Sequence, residues 1–247
     1  MKVFDDDGDV VLRPRPKKSP RHSKTLPKVS HLEPKTENQS KIIAAHRAGS
    51  NIVINGMAGT GKTFVALSLA LQCVEKGHAE GVAIYRSAVP TRDMGFMPGT
   101  RQEKEALYEI PYRTIAGEIY QRADAYDLLK KDGLIEFSTT SYLRGLTIRN
   151  SVILVDEAQN CDFGELDTLI TRVGEGSRIM IIGDFNQMDT KGSGFEMFMN
   201  ITKNMKSFDH VEMTMDDVVR SDLVKEYLIA KAKFPPDLAR EYINRRK

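Results

Sequence analysis

The chain has 247 residues, 40% of them apolar, and 36 basic against 34 acidic side chains leave a formal net charge of +2. No apolar run reaches the ~18 residues of a membrane span, and the N-terminus lacks a secretory h-region, so we expect a cytosolic protein with no membrane partner. Two cysteines, Cys73 and Cys161, are too few for a disulfide framework.

Residues 1–33 have the composition of a disordered arm. Seven basic and no acidic residues lie between Val11 and Lys28, interleaved with four prolines. Such a segment has too little apolar surface to fold alone. Its charge fits either attraction to nucleic-acid phosphates or a solubilising tail, and the arm alone does not decide between them.

A folded core is predicted over residues 34–232. Thr36 and Gln39 have the spacing of a capping box, which predicts a helix through His46. A strand over 52–54 and a helix over 62–75 follow, and Gly77 is the stop signal of that helix.

The segment between that strand and helix fits G-x-x-x-x-G-K-[ST], the phosphate-binding P-loop. Glycines let successive backbone N–H groups point at a polyphosphate, and the helix N-terminus adds further donors. Lys62 is predicted to reach the outer phosphates and Thr63 to bind Mg²⁺. The alternative to a P-loop is a glycine-rich turn before an ordinary helix. The predicted nucleotide contacts are Gly56, Met57, Ala58, Gly59, Thr60, Gly61, Lys62, Thr63 and Phe64.

The rest of the core alternates strands with helices. Strands are predicted over 82–85, 134–137, 152–155, 179–182 and 211–213, and helices over 102–107, 114–130, 164–173, 193–203 and 222–230. A long loop, 87–99, follows the second strand, and a short charged helix or tail, 233–247, ends the chain. This alternation predicts an α/β fold with a mainly parallel sheet covered by helices on both faces, whose functional groups lie at the carboxyl ends of the strands.

Two of those strand ends carry polar groups suited to nucleotide hydrolysis. Asp156 is predicted to hold Mg²⁺, and Glu157 to deprotonate the attacking water. After the next strand, Gln187 could sense the γ-phosphate, with Asp184 supporting the metal's water shell. Alternatively, Asp156 and Glu157 only cap the next helix. The segment with Asp184 and Gln187 would then be an ordinary strand-to-helix turn.

Two arginines are candidates for stabilising the negative charge of the transition state. They are Arg172 and Arg220, and each follows an apolar or helical stretch without a partner nearby in sequence. Most arginines are solvated surface residues, which is the competing interpretation.

Taken together, these motifs resemble the PhoH family of ATPases, in the form that bacteriophages encode. The resemblance covers residues 34–230. It rests on 56–63, Arg86-Ser87-Ala88-Val89, 95–99, Tyr142-Leu143-Arg144-Gly145, 155–160, 171–174, 183–189 and Val218-Val219-Arg220, in that order.

The resemblance implies a RecA-like P-loop NTPase core related to superfamily 1 helicases. It implies ATP and Mg²⁺ as cofactors, Gln39 as the reader of adenine, and Arg220 as the helicase-type arginine. The segments 95–99 and 142–145 resemble parts of the family that face nucleic acid, so single-stranded RNA or DNA is the expected partner. If the chain is phage-encoded, the host cytoplasm is the expected location.

The chain also departs from the family pattern. Met57 stands where proline is common, and Ser87 where an Arg-Pro pair is usual. No nuclease domain is present, so no RNA cleavage is expected. Superfamily 1 helicases place ATP between two cores, whereas this chain has one, so a homo-oligomer with ATP at subunit interfaces, such as a hexameric ring, is predicted.

Three functions remain open from the sequence. The leading one is a nucleic-acid-stimulated ATPase, a helicase or translocase. An ATP-gated nucleic-acid-binding regulator with little turnover is the second. A P-loop kinase with its acceptor site in 87–99 is the third. A GTPase is disfavoured because no Asn-Lys-x-Asp motif occurs.

Overall fold

The structure, a computed structural model, describes residues 3–4, 10–11, 26–87, 101–140, 147–184 and 194–233. The strands are β1 (Val3–Phe4), β2 (Val10–Val11), β3 (Asn51–Gly56), β4 (Gly81–Arg86), β5 (Ile135–Thr139), β6 (Ser151–Asp156), β7 (Arg178–Gly183) and β8 (Phe208–Met213). The helices are α1 (Glu37–Arg47), α2 (Lys62–Glu75), α3 (Arg101–Tyr120), α4 (Ala125–Lys131), α5 (Phe163–Thr171), α6 (Gly194–Thr202) and α7 (Asp222–Ala232). Single 3₁₀ turns span Ala158–Asn160 and Met215–Asp217.

Strands β3 to β8 form one six-stranded parallel sheet in the order β5-β4-β6-β7-β3-β8. Its register aligns Asn55 of β3 with Gly183 of β7, and Arg86 of β4 with Asp156 of β6. The polar groups that follow these strands therefore meet at one edge of the sheet. The predicted parallel sheet is confirmed.

Helices cover both faces of this sheet, as predicted. Alternate residues of a strand point to opposite faces, and in β3 the buried Ile52 and Ile54 pack with α1 to α4. The intervening Val53 belongs to the core on the other face, which α5 and α6 cover. Both faces of the central strands are apolar because neither face meets water.

Helix α3 is the main departure from the predicted elements. Two helices with a gap over 108–113 were expected, but the helix runs unbroken through Pro111. Pro111 removes one N–H, yet Tyr112 and Ala116 just after it are fully buried, and this packing outweighs the lost bond. The helix ends instead at Tyr120, and the next residue, Gln121, has a positive φ of 52° and starts a Schellman-type turn.

Contacts with the core also begin before residue 34. Leu26, Val29 and Leu32 pack against the core, and the Val29 amide donates to Glu75 at 3.2 Å. Strands β1 and β2 pair antiparallel within the predicted arm. Residues on the arm's side of the expected boundary at residue 34 therefore contact the core. Most of the arm, the segments 95–99 and 142–145, and the tail from 234 lie outside the described residues.

Cys73 and Cys161 are both buried, and neither is in a disulfide. Within the ranges that the structure describes, no helix is both long and apolar enough to cross a membrane.

Candidate nucleotide-binding site

The loop between β3 and α2 has the backbone shape of a phosphate cradle. Gly56 has a φ of 148°, and a Cβ there would lie 2.3 Å from the carbonyl oxygen of Met213 in the neighbouring strand β8. Gly61 precedes α2 with a φ of 80° and offers no side-chain cap to the helix. The first N–H groups of α2 are thus left without a side-chain acceptor, which suits an anion.

Lys62 is the first residue of α2, and its side chain reaches into this loop. Its Nζ donates to the carbonyl oxygens of Gly56 and Met57, at 2.6 Å each. Burial lowers the pKa of Lys62, and the neighbouring Asp184, Asp156 and Glu157 oppose that shift. The ammonium group is therefore placed to donate to phosphate oxygens in place of the two loop carbonyls.

Thr63 and Asp156 bring two hard oxygen donors together from different elements. The Thr63 Oγ1 lies 3.2 Å and 3.3 Å from the two carboxylate oxygens of Asp156. Mg²⁺ takes one or two carboxylates and otherwise water and phosphate oxygens, so this pair fits that ion. Among the described residues, no cluster of three or more His, Cys, Asp or Glu side chains offers a different metal site.

Asp156 is buried and held by several donors. The Tyr112 hydroxyl donates to its Oδ2 at 2.9 Å, and the Glu157 amide donates to its Oδ1 at 3.0 Å. Burial raises the pKa of Asp156, as does the charge of Glu157, while Tyr112 and Arg86 act in the opposite direction. Tyr112 thus orients the predicted metal ligand.

Glu157 has a left-handed backbone, with φ 53° and ψ 40°, which is unusual for a residue other than glycine. Its carboxylate accepts a hydrogen bond from Gln159 Nε2 at 2.6 Å and lies 3.7 Å from Arg86. Gln159 in turn accepts a bond from the Asp184 amide at 3.0 Å. The ends of β6 and β7 are therefore linked through the side chain of Gln159.

Gln39 lines the same cavity and has both ends of its amide bonded. Its Nε2 donates to the Thr60 carbonyl at 3.1 Å, and its Oε1 accepts from the Lys35 amide at 2.8 Å. A glutamine amide has two donors and two acceptor lone pairs, so each end keeps one for a ligand. This geometry fits the predicted reading of adenine.

The two candidate arginines lie far apart. Arg220 is exposed beside Gly59, next to a bond from the Val219 amide to the Gly59 carbonyl at 3.1 Å. Arg172 instead lies near the amino ends of the strands, where its carbonyl accepts from Ile148. The structure does not bring Arg172 to the site of its own chain. Gln187 lies outside the described residues.

One cavity of about 600 Å³ joins these groups. Among the predicted site residues it is lined by Gln39, Ala58, Gly59, Gly61, Lys62, Thr63, Phe64, Asp156, Glu157, Asp184 and Arg220. Gly56, Met57 and Thr60 belong to the same loop but do not line the cavity.

Sequence reasoning missed three contributors: Arg86, Tyr112 and Gln159. Arg86 stands at the carboxyl end of a predicted strand, which was a usable signal. Tyr112 lies in the supposed gap between helices, so nothing pointed to it. Ser87, which departs from the family's usual proline, donates to the Asn160 carbonyl at 3.0 Å and so ties β4 to the turn after Glu157.

Comparisons with known proteins show the family and the fold of the chain. The family described as PhoH-like protein matches residues 31–231. A PhoH-like protein of Mycobacterium bovis is 32% identical over 212 residues, covering 82% of this chain and 58% of that protein. A PhoH-like protein of Bacillus subtilis is 32% identical over 203 residues, covering 81% and 63%. The chain therefore spans about three-fifths of these relatives.

Among solved structures, the large terminase of the thermophilic bacteriophage D6E is similar with a TM-score of 0.50. It is 14% identical and the similarity covers 79% of this chain and 50% of that one. At this identity the likeness concerns the fold alone, and the predicted RecA-like P-loop NTPase fold is confirmed.

Proposed function

Because the chain belongs to the PhoH-like protein family, we propose that it binds ATP with Mg²⁺ and hydrolyses it. The observation that carries this proposal is the convergence, in one cavity, of Lys62, the Thr63–Asp156 pair and Glu157. These groups come from the end of β6 and the start of α2, and together they match the parts that phosphoryl transfer to water requires.

The chain's own residues divide the work of hydrolysis. The loop amides and Lys62 bind the phosphates, and Thr63 with Asp156 would hold Mg²⁺, which supplies positive charge at the phosphate oxygens when bound. Glu157 accepts a proton from a water molecule as the water oxygen bonds to the γ-phosphorus. The bond from that phosphorus to the bridging oxygen breaks, and ADP leaves.

Glu157→Gln tests the assignment of the base. The substitution preserves size and the contact with Gln159 but removes the group that accepts the proton. We expect ATP affinity within about twofold of wild type and turnover lower by about 10²–10⁴-fold, the usual contribution of a general base. Phosphate release and ATP titration measure the two quantities. Glu196→Gln, an exposed acid on α6, is the matched control. Wild-type turnover in Glu157→Gln would refute the assignment.

We further propose that hydrolysis is coupled to single-stranded RNA or DNA. The support is the basic composition of residues 11–28 and the resemblance of 95–99 and 142–145 to segments of the family that face nucleic acid. Unwinding or translocation is the form this coupling takes in related helicases. Stimulation of phosphate release by homopolymers is the expected sign of coupling.

Two other functions make different predictions. A nucleic-acid-binding regulator gated by ATP would bind both ligands and release little phosphate under any condition. A kinase would transfer the phosphate to an acceptor rather than to water. The pair formed by Glu157 and Gln159 next to the metal ligand favours water as the acceptor.

A homo-oligomer, such as a hexameric ring, is also part of the proposal. A chain with a single core needs the arginine of a second core from elsewhere, whereas Arg220 lies beside Gly59 in the loop of its own chain. Arg172, near the other edge of the sheet, is the candidate for reaching a neighbour's site. Its Nε is buried without a hydrogen-bond partner in the described part of the chain.

A further inference from the structure

Arg86 occupies a position between the predicted metal ligand and the predicted base. It is the last residue of β4 and pairs with Asp156 in the register with β6. Its side chain lines the nucleotide cavity and is 22% exposed. A positive charge therefore lies at the edge of the site, apart from both Lys62 and Arg220.

The contacts of Arg86 connect three parts of the site. Its Nη2 lies 3.7 Å from the Glu157 Oε1, and the guanidinium carbon lies 5.8 Å from the centre of the Tyr108 ring. Its charge also opposes the burial that raises the pKa of the Tyr112 hydroxyl, and that hydroxyl donates to Asp156. Arg86 is thus held by α3 on one side and faces the two acids on the other.

The contact with Glu157 is loose. A charge-assisted N–H···O bond is normally about 2.7–2.9 Å long, so 3.7 Å indicates attraction without a formed hydrogen bond. A terminal phosphate in the cavity would offer this guanidinium several oxygens and a larger negative charge. Arginine binds phosphate with two parallel N–H···O bonds, so the phosphate is the stronger competitor.

We propose that Arg86 is an arginine that recognises the γ-phosphate within its own subunit. Without nucleotide, or with ADP, it pairs with Glu157. With ATP it turns to the γ-phosphate and leaves Glu157 free to accept the proton of the attacking water. This inference rests on the proposed ATP hydrolysis and deepens it, because it makes the state of the base depend on the terminal phosphate.

Discrimination between ATP and ADP separates this role from a structural one. If Arg86 only supports Glu157 and Tyr108, its loss affects both nucleotides equally. If it binds the γ-phosphate, its loss weakens ATP and spares ADP. Arg86→Ala and Arg86→Lys are the test variants, titrated in Mg²⁺ with ADP and with a non-hydrolysable ATP analogue.

For Arg86→Ala we expect analogue affinity to fall about tenfold or more, as for a lost charge-assisted bond, and ADP affinity to change by less than about twofold. Turnover falls by about 10²–10³-fold, the usual effect of removing one donor to a transition-state charge. Arg86→Lys keeps the charge but not the planar fork, so it recovers part of the affinity ratio and little of the turnover.

Arg113→Ala is the matched control. Arg113 also lies near a carboxylate, 3.7 Å from Glu109, and over an aromatic ring, 5.1 Å from that of Tyr126, but it does not line the cavity. Its loss is expected to leave the affinity ratio and turnover unchanged. Thermal melting checks that each variant is folded.

Three results would overturn the inference. The first is a folded Arg86→Ala that loses analogue and ADP affinity equally. The second is a folded Arg86→Ala whose turnover, and whose ratio of ATP-analogue affinity to ADP affinity, are those of wild type. The third, a wild-type protein that binds neither nucleotide, overturns the proposed function as well. A wild type that binds ATP without hydrolysing it refutes hydrolysis alone, and the affinity ratio still decides the role of Arg86.

Discussion

The carboxylate of Asp156 accepts hydrogen bonds from two helices, through Thr63 of α2 and Tyr112 of α3. A buried carboxylate without donors is costly, and each donor also restricts its orientation. The position of the predicted metal ligand therefore depends on a residue in α3 as well as on the P-loop.

Tyr112→Phe tests this dependence. The variant keeps the ring in the core and removes only the hydroxyl that donates to Asp156 Oδ2. We expect the Mg²⁺ concentration for half-maximal turnover to rise severalfold, because the carboxylate loses a donor that stabilises its charged form. Turnover at saturating Mg²⁺ should change much less.

Tyr126→Phe is the control for that experiment. Tyr126 is also buried on the α3–α4 side of the core, and its hydroxyl does not contact Asp156. Equal Mg²⁺ requirements in wild type and Tyr112→Phe would show that the hydroxyl does not position the metal ligand.

The residues that sequence reasoning identified were those encoded locally. The P-loop and the Asp156–Glu157 pair each lie within one strand end and its following turn, so spacing alone revealed them. Arg86 and Tyr112 reach the site from β4 and α3, and Gln159, in the turn after Glu157, accepts a bond from the Asp184 amide at the end of β7. Their roles depend on the strand order β4-β6-β7 and on an unbroken α3, which local patterns do not specify.

At the scale of elements, α1 and α2 are joined by a buried polar contact. His46 Nε2 lies 3.1 Å from the Cys73 Sγ, and Arg178 of β7 donates to the His46 carbonyl at 2.7 Å. Burial, with nearby positive charge, lowers the pKa of His46 to about 3. The charged neighbours responsible are Arg178, His78, Arg47 and Lys76.

This shift predicts a loss of stability in acid. His46 stays neutral in the folded state, whereas the unfolded state takes up a proton below its ordinary pKa of about 6.5. The stability that neutral His46 contributes to the folded state is fully present above pH 6.5. It is lost at up to about 1.4 kcal/mol per pH unit as the pH falls towards the folded pKa.

His46→Gln removes the titrating group, so its free energy of unfolding should fall less steeply than that of wild type between pH 6.5 and 4. Urea denaturation at several pH values measures the slope. His31→Gln, at an exposed position, is the control and should follow wild type. Parallel curves for wild type and His46→Gln would contradict the prediction.

For the whole molecule, the parallel sheet and its two covered faces followed from the alternation of strands and helices. The reason is that apolar strands must be buried on both sides in a parallel sheet. The position of Arg172 did not follow. Helix α5 runs antiparallel to the strands, away from their carboxyl ends. Arg172, which follows α5, therefore lies away from the site.

Oligomerisation belongs to this scale. If subunits share ATP sites, a Mg²⁺–ATP analogue should shift the sedimenting species from monomer to a larger closed assembly, because nucleotide then bridges neighbours. Arg172→Ala, which spares the chain's own cavity, should reduce that shift. Sedimentation as a monomer at all protein concentrations, with the analogue bound, would rule out shared sites.

The central claim is that this cavity hydrolyses ATP, and steady-state phosphate release from Mg²⁺–ATP tests it most directly. Wild type and Lys62→Ala are compared, alone and with RNA and DNA homopolymers. Lys62 is the ammonium that the loop carbonyls hold in place. We predict turnover by wild type, stimulated by a single-stranded polymer and lost in Lys62→Ala. Equal phosphate release by both proteins, or none by wild type under any condition, would contradict it.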